Sequence, residues 1–178
     1  MALFDKLRGW RVGQQRPRVI EGGYEGNERR ARLRVNATTG TRVLVVDDSA
    51  TILALLRKML AQNGYIVIEA ANVEQAIERI GSAEPELIFL DIVLPDGDGF
   101  QVLRQLRRQA ATRDVPIIMM SGNAQATEQF YVQRIGADDF MKKPFSRNEV
   151  FSRIEALLDA ERKPRRTAQR IGIPAELA

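Results

Sequence analysis

The sequence of 178 residues contains neither cysteine nor histidine. Without cysteine the chain can form no disulfide framework, no thiolate metal site and no thiol nucleophile. Without histidine it lacks the most common general base and nitrogen metal ligand, and it cannot itself carry a phosphohistidine. Any metal site in this chain must therefore be built from oxygen ligands.

Long hydrophobic runs are absent as well. No apolar run approaches the roughly 18–20 residues that a membrane-spanning helix needs, so we do not expect an integral membrane protein. A hydrophobic fraction of 44% and a charged fraction of 28% are typical of a globular chain. At about 100–200 residues per domain, we expect one folded unit with extensions. No signal-peptide pattern begins the sequence, and a cytoplasmic location is expected.

The net charge of +4 is unevenly distributed along the chain. Residues 1–40 carry nine Lys and Arg against four Asp and Glu, residues 41–160 carry thirteen against seventeen, and residues 161–178 carry five against two. The ends are therefore basic and the middle is acidic. The high pI of about 9.7 thus gives no indication of a nucleic-acid-binding patch on the folded part.

From Thr41 onward, short apolar runs alternate with segments of helical period, which predicts βα units and a parallel sheet. The predicted strands are 43–46, 65–70, 87–90, 117–120 and 139–141, each followed by a helix. Strands this apolar need helices on both faces. We therefore predict an α/β fold with a doubly wound, five-stranded parallel sheet, in which a site lies at the carboxyl ends of the strands.

Polar side chains stand at these strand ends. Asp47 and Asp48 follow the first strand and Asp91 follows the third, while Ser121 and Lys143 follow the fourth and fifth. Three carboxylates brought this close together either raise one another's pKa or bind a hard divalent cation. Mg²⁺ suits oxygen ligands of this kind. The pattern predicts a magnesium site beside an ammonium and a hydroxyl.

Such a site suits phosphoryl transfer. A carboxylate beside Mg²⁺ and an ammonium can attack a phosphoryl group, because the cations offset the charge that builds on the transferring oxygens. The product would be an aspartyl phosphate, which adds about −1.5 to −2 charge units and strong acceptor oxygens. Ser121 and Lys143 would be drawn towards those oxygens, which predicts a switch.

The segment from about 41 to 159 resembles the receiver domain of two-component response regulators, and most closely those of the chemotaxis and pilus type. The motifs that carry the resemblance are Asp47-Asp48, the run LDIVLPDGDG at 90–99, Ser121-Gly122 and Lys143-Pro144-Phe145. The resemblance implies the flavodoxin-like receiver fold over about two thirds of the chain.

The resemblance also implies roles for the acidic residues and their neighbour. Asp91 would be the phosphoacceptor and Asp48 a direct Mg²⁺ ligand. Asp47 would act on the metal through a water molecule or through a direct ligand, and Val93 would bind it through its backbone carbonyl.

Further residues match the switch of the family. Ser121 takes the position of the switch hydroxyl, where Thr is more common, and Lys143 would pair with the phosphoryl group. Phe140 takes the position of the aromatic side chain that rotates inward on activation, although it can equally be a core residue. Asn123 matches a position that tunes dephosphorylation. The output face would comprise the fourth helix, fifth strand and fifth helix, with Phe130, Tyr131 and Arg147 as loose candidates.

The motifs also suggest three other interpretations. Asp47 and Asp48 can be helix caps. The Asp96–Gly99 run suggests a calcium loop, but Arg107 stands where the closing Glu would be needed. A dehalogenase-type phosphatase would place a second carboxylate two residues after Asp91, where Val93 stands.

The two ends of the chain invite separate interpretations. In residues 1–10 the apolar side chains recur at helical spacing, so a short amphipathic helix can contact a partner or a membrane, and disorder is the alternative. The rest of the 1–40 extension reads as a flexible basic linker. The basic 161–178 segment is too short for a DNA-binding domain.

We therefore expect a stand-alone, non-enzymatic response regulator. A histidine kinase or phosphotransfer protein would phosphorylate Asp91, and output would pass through protein contacts, with chemotaxis-like or pilus motility as the guessed pathway. The alternatives are a phosphate sink, a phosphorylation-independent scaffold that acts through its tails, and a phosphatase acting on external substrates.

Overall fold

The computed structural model describes residues 34–122 and 136–166. The helices and strands in this part of the chain are, in order, β1 (Arg42–Val46), α1 (Ala50–Ala61), β2 (Ile66–Ala70), α2 (Val73–Ala83), β3 (Leu87–Asp91), β4 (Val93–Leu94), β5 (Gly97–Asp98), α3 (Gly99–Arg108), β6 (Ile117–Ser121), β7 (Asp139–Lys142) and α4 (Arg147–Ala156). No helix within these ranges has the length and apolar character to cross a membrane. The helices predicted in 1–10 and 127–135, and most of both charged tails, lie outside the described residues.

Five strands form one parallel sheet in the order β2-β1-β3-β6-β7. The order reverses between β1 and β3, where the chain turns from one half of the sheet to the other. In open α/β sheets a ligand site lies at this reversal. The predicted doubly wound parallel sheet is therefore confirmed. The small antiparallel pair of β4 and β5 lies within the turn predicted after Asp91.

Alternate residues of each central strand face opposite layers of helices. In β1, Val43 and Val45 join the core layer that contains Leu56 of α1. Leu44 and Val46 join the other layer, which contains residues of α2 and α3. All four strand residues are fully buried. Helix α4 packs in the same layer as α1, so helices cover both faces of the sheet, as predicted.

Each helix begins at a residue that caps its amino end. The four N-caps are Ser49, Asn72, Asp98 and Ser146, and each side chain accepts a hydrogen bond from the backbone N–H three residues later. Ser49 rather than Asp47 or Asp48 therefore caps α1. The capping interpretation of the acidic pair is wrong, and both carboxylates are left for another role.

The packed part of the chain extends beyond the predicted range 41–160 at both ends. Ala37 is buried, and its backbone N–H donates to the Tyr65 hydroxyl at 3.0 Å. The Thr38 N–H donates to the Arg162 carbonyl at 3.1 Å. The residues before β1 and the residues after α4 thus contact each other, and both belong to the folded unit.

Candidate functional site

The parallel pairing of β1 and β3 brings the acidic residues to one edge of the sheet. Val46 pairs with Leu90, so Asp47 and Asp91 follow neighbouring strands at the same level. One carboxylate oxygen from each of Asp47, Asp48 and Asp91 lies within 4.8 Å of the others. The structure therefore brings together the three carboxylates that the sequence placed at strand ends.

Burial differs strongly among the three carboxylates. Asp47 is fully buried and Asp91 is 5% exposed, whereas Asp48 is exposed. The Asp47 carboxylate accepts a hydrogen bond from the Ser49 N–H at 3.0 Å, which fixes it against the start of α1. Solvent and ligands thus reach the cluster from the side of Asp48.

Lys143 places its ammonium between two of these carboxylates. Its Nζ atom lies 2.6 Å from Oδ2 of Asp47 and 2.7 Å from Oδ2 of Asp91. The Lys143 backbone N–H donates to the Ser121 carbonyl at 2.8 Å, and a cis peptide bond joins Lys143 to Pro144. The end of β7 is thereby held beside the end of β6, and the ammonium reaches across β6 to Asp91.

The electrostatics of the site follow from this geometry. Burial raises the pKa of Asp91, and the nearby charge of Asp47 adds to the increase, while Lys143 and the Val93 N–H oppose it. For Lys143, burial acts to lower the pKa, but the bonds to Asp47 and Asp91 outweigh it and the pKa is raised. Lys143 is therefore charged at neutral pH, and within 34–122 and 136–166 its ammonium contacts two of the three carboxylates.

This donor set suits a hard divalent cation. All three side chains offer oxygen ligands, and their spacing within 4.8 Å allows one ion to contact more than one of them. A cation there would offset the repulsion that one ammonium leaves uncompensated. The exposed Asp48 gives such an ion a route of entry, and retained waters would complete an octahedral shell.

Ser121 lies next to the phosphoacceptor candidate through the pairing of β3 with β6. Asp91 pairs with Met120, whose carbonyl accepts a hydrogen bond from the Ile92 N–H at 2.9 Å. Ser121 is the next residue of β6 and is 3% exposed. A hydroxyl therefore stands at the same edge as the three carboxylates.

Phe140 lies in the core rather than at the surface. It pairs with Met119 in the sheet and is 3% exposed, packed among the buried side chains of the layer that contains α2 and α3. This is the inward position that the family resemblance associates with activation, and it is also what a plain core residue would show. Rotation of the ring stays a prediction.

Two carboxylates in the loop between Asp91 and α3 bond to the first turns of two helices, although the sequence pattern predicts only a turn here. Asp98 caps α3, accepting from the Gln101 N–H at 2.8 Å. Asp96 accepts from the N–H groups of Val73 at 2.8 Å and Glu74 at 3.1 Å, at the start of α2. These bonds lower the pKa of Asp96. The partners of Asp96 lie far back in the sequence, so no local pattern reveals its role.

Gly99 allows α3 to begin directly against the phosphoacceptor candidate. A Cβ atom at this position would overlap the backbone carbonyl oxygen of Asp91. The Gly99 N–H donates to the Ile92 carbonyl at 2.9 Å, which closes the loop. Val93, the predicted carbonyl ligand, has a 69% exposed side chain and donates its backbone N–H to Asp91.

The other predicted switch residues are only partly covered by the structure. Asn123, Phe130 and Tyr131 lie outside the described residues. Arg147 lies at the start of α4, where its guanidinium donates to Gln62, the residue after α1, at 3.1 Å and stacks over the Phe151 ring at 5.1 Å. These two contacts are with the carboxyl end of α1 and with its own helix.

Comparison with known proteins agrees with this geometry. The family model for the response regulator receiver domain matches residues 43–155. The phosphate regulon transcriptional regulatory protein PhoB of Klebsiella pneumoniae is 38% identical over 117 residues, covering 66% of this chain and 51% of that protein. The alkaline phosphatase synthesis transcriptional regulatory protein PhoP of Bacillus subtilis is 40% identical over 117 residues, covering 66% and 48%. This chain thus matches about half the length of these curated relatives.

Solved structures show the same likeness. The Vibrio cholerae chemotaxis protein CheY4 superposes with a TM-score of 0.64 at 26% identity, covering 68% of this chain and 100% of that one. A CheY-like response regulator receiver domain protein from Methanospirillum hungatei gives 0.61 at 27% identity, covering 66% and 93%.

Proposed function

The chain belongs to the response regulator receiver family, and on this premise we propose that Asp91 accepts a phosphoryl group from a histidine kinase or phosphotransfer protein. The observation that carries the proposal is the contact of the Asp91 carboxylate with Lys143, beside Asp47 and Asp48. The chain has no histidine of its own. The donor imidazole must therefore come from another protein.

The acidic residues have distinct roles in this proposal. Asp48 and Asp91 would hold Mg²⁺ directly, Asp47 would act on it through a water molecule or through a direct ligand, and Val93 would contribute its backbone carbonyl. When bound, the ion would supply positive charge that offsets the charge on the transferring oxygens. A carboxylate oxygen of Asp91 forms the new P–O bond as the P–N bond to the donor histidine breaks, and the imidazole nitrogen takes the released electron pair.

The same contacts explain how phosphorylation can act as a switch. In the resting site the Lys143 ammonium is bonded to Asp91 and Asp47. A phosphoryl group on Asp91 presents stronger acceptor oxygens, so the ammonium and the Ser121 hydroxyl turn towards it. Because Ser121 is the last residue of β6 and Lys143 directly follows β7, their movement is passed to those strands and to Phe140.

Output is proposed to pass through protein contacts, on a face formed by the 127–135 segment, β7 and α4, with no turnover of external substrates. A motility role is supported by the likeness to the chemotaxis protein CheY4. The curated relatives named above are instead transcriptional regulators. A cytoplasmic location is part of this proposal. Its alternatives are a phosphate sink and a phosphorylation-independent scaffold.

Intact-mass spectrometry after incubation with acetyl phosphate tests the proposal. The wild type is expected to gain one phosphoryl group only when Mg²⁺ is present, and Asp91→Asn is expected to gain none. Asp98→Asn, in the same loop, is the matched control and should still be labelled. A folded wild type that gains no adduct, or an adduct that persists in Asp91→Asn, would overturn the assignment and favour the scaffold.

A further inference from the structure

Two arginine side chains, here called the arginine pair, lie against the ring of Phe151 on α4. The Cζ atoms of Arg34, which precedes β1, and of Arg147 each lie 5.1 Å from the centroid of this ring, within the range of a cation–π contact. The two Cζ atoms are therefore at most about 10 Å apart. Phe151 is 1% exposed, whereas Arg34 is exposed and Arg147 is half-buried. The ring thus holds two cationic groups close together at the protein surface.

A hydrogen bond to a neutral side chain also fixes each guanidinium. Arg34 donates to Oδ1 of Asn148 at 2.6 Å, and Arg147 donates to Oε1 of Gln62 at 3.1 Å. No carboxylate within 34–122 or 136–166 forms an ion pair with either arginine. In this part of the chain the two positive charges therefore have no counter-charge.

Other ordered arginines nearby do have carboxylate partners. Arg153 of α4 bonds to Asp139 at 2.7 Å and to Glu149 at 3.0 Å, and Arg57 of α1 bonds to Glu69 at 3.1 Å. Glu149 lies in the first turn of α4, close in sequence to the arginine pair, but its carboxylate is already bonded. An anion that binds the arginine pair thus displaces no internal ion pair seen among the described residues.

The arginine pair is ordered before any ligand binds. Holding a mobile arginine still costs conformational entropy, and a side chain that is already stacked and hydrogen-bonded has lost most of it. A guanidinium carries five N–H donors in a planar fork that matches a carboxylate, and the bonds to Asn148 and Gln62 use one donor on each arginine. The remaining donors are suited to oxygen atoms of an acidic ligand.

The position of the arginine pair separates it from the output face proposed above. Arg34 lies outside the family match, which covers residues 43–155. Arg147 contacts the carboxyl end of α1, so the arginine pair is on the α1 side of α4. The surface therefore combines one residue of the receiver domain with one that precedes it.

We propose that the arginine pair docks an acidic segment of a partner protein, with one carboxylate of the segment on each guanidinium. Side chains at positions i and i+4 of a helix are neighbours, so two acidic residues one turn apart present two carboxylates together. This spacing suits two cations that are at most about 10 Å apart. A planar fork on each arginine then binds each carboxylate through two N–H groups.

The charge around the arginine pair favours a short acidic segment over a long polyanion. Residues 41–160 carry seventeen acidic against thirteen basic side chains, so the folded domain repels an extended anionic surface such as nucleic acid or a membrane. A short segment needs to reach only the two guanidinium groups. Val35, next to Arg34, is 38% exposed and offers an apolar contact to a peptide side chain.

NMR of the arginine side chains in the full-length protein tests the proposal. The probe is a capped, alanine-rich helical peptide with Glu at i and i+4, and the comparison peptide has Gln at both positions. At low ionic strength the Glu peptide is expected to shift the Nε–H signals of Arg34 and Arg147 several-fold more than the Gln peptide does. Equal shifts with the two peptides, or an equal response at Arg57, would overturn the proposal.

Substitution separates the arginine pair from the net charge. Arg34→Gln with Arg147→Gln is expected to weaken binding of the Glu peptide by roughly fivefold or more. Arg57→Gln with Arg79→Gln, at exposed positions of α1 and α2, removes the same charge and should change binding less than about twofold. Unchanged binding in the first variant would contradict the proposal, and the wild-type comparison does not depend on how that variant folds.

Two phosphate-bearing probes complete the test. Single-stranded DNA and vesicles containing an anionic phospholipid are expected to bind the full-length protein with no loss of affinity in Arg34→Gln with Arg147→Gln, because any attraction to them comes from other basic residues. Tighter binding of either probe than of the Glu peptide, lost in the same variant, would overturn the assignment to an acidic protein segment.

Discussion

The Nζ atom of Lys143 lies 2.7 Å from Oδ2 of Asp91, although 52 residues separate them in the chain. The same ammonium lies 2.6 Å from Asp47, which is fully buried. Lys143 therefore links the ends of β1, β3 and β7 in one contact. In the proposed function this pair is the resting state of the switch, which phosphorylation rearranges.

Removing the Lys143 ammonium is expected to destabilise the fold. In Lys143→Met, the buried Asp47 loses its nearest cation, and the free energy of unfolding should fall by about 1–3 kcal/mol. Urea denaturation in the presence of a chelator measures this loss. Lys142→Met, at an exposed neighbouring position, should change stability by less than about 0.5 kcal/mol.

A double substitution checks the reason for that loss. If the unpaired Asp47 carboxylate is the cause, Asp47→Asn should recover part of the stability in the Lys143→Met background. Strictly additive effects of the two substitutions would show that the ammonium and this carboxylate do not interact.

Gly99→Ala should both destabilise the protein and impair its chemistry. The new Cβ overlaps the Asp91 carbonyl oxygen, so α3 or the strand end must move, at a cost of about 1–3 kcal/mol. Slower formation of the phosphoryl adduct should accompany the loss, since Asp91 is displaced. Gly81→Ala is the matched control: it lies within α2 with open space around it, and should stabilise by roughly 0.5–1 kcal/mol.

Asp96 should contribute a pH-dependent part of the stability. Because hydrogen bonds at the start of α2 lower its pKa in the folded state, its contribution is present above the ordinary value of 3.8 and is lost as the pH falls through the folded pKa. Asp96→Asn should therefore be less stable than the wild type near neutral pH, and the gap should close in acid. Urea denaturation across this range measures the gap. A stability difference between wild type and Asp96→Asn that is the same in acid as at neutral pH would mean that the Asp96 charge does not stabilise α2.

Ala37→Glu tests whether the residues before β1 belong to the folded unit. Ala37 is 6% exposed and bonded to Tyr65, so a carboxylate there is forced into an apolar layer, and stability should fall by about 2 kcal/mol. Val35→Glu, at a position 38% exposed, should cost less than about 0.5 kcal/mol. Thermal unfolding of the two full-length variants compares them, and equal losses would show that the burial of Ala37 is not what matters.

The sequence by itself determined the sheet and the carboxyl-edge site. Apolar strands such as 43–46 alternate with segments of helical period, and this periodicity depends only on which residues must be buried. The strand ends then place Asp47, Asp91 and Lys143 at one edge, because parallel strands run in the same direction. Both predictions use local patterns together with one topological rule.

Only the tertiary structure decided which contacts those residues make. It buries Asp47 and leaves Asp48 exposed, and it chooses Ser49 over both as the cap of α1. It also joins Asp96 to the start of α2 and Thr38 to Arg162. The contacts of Asp96 and Thr38 join segments that are remote in sequence. Periodicity records which residues are buried, but the partner of a buried or bonded group is set by how the helices and loops pack.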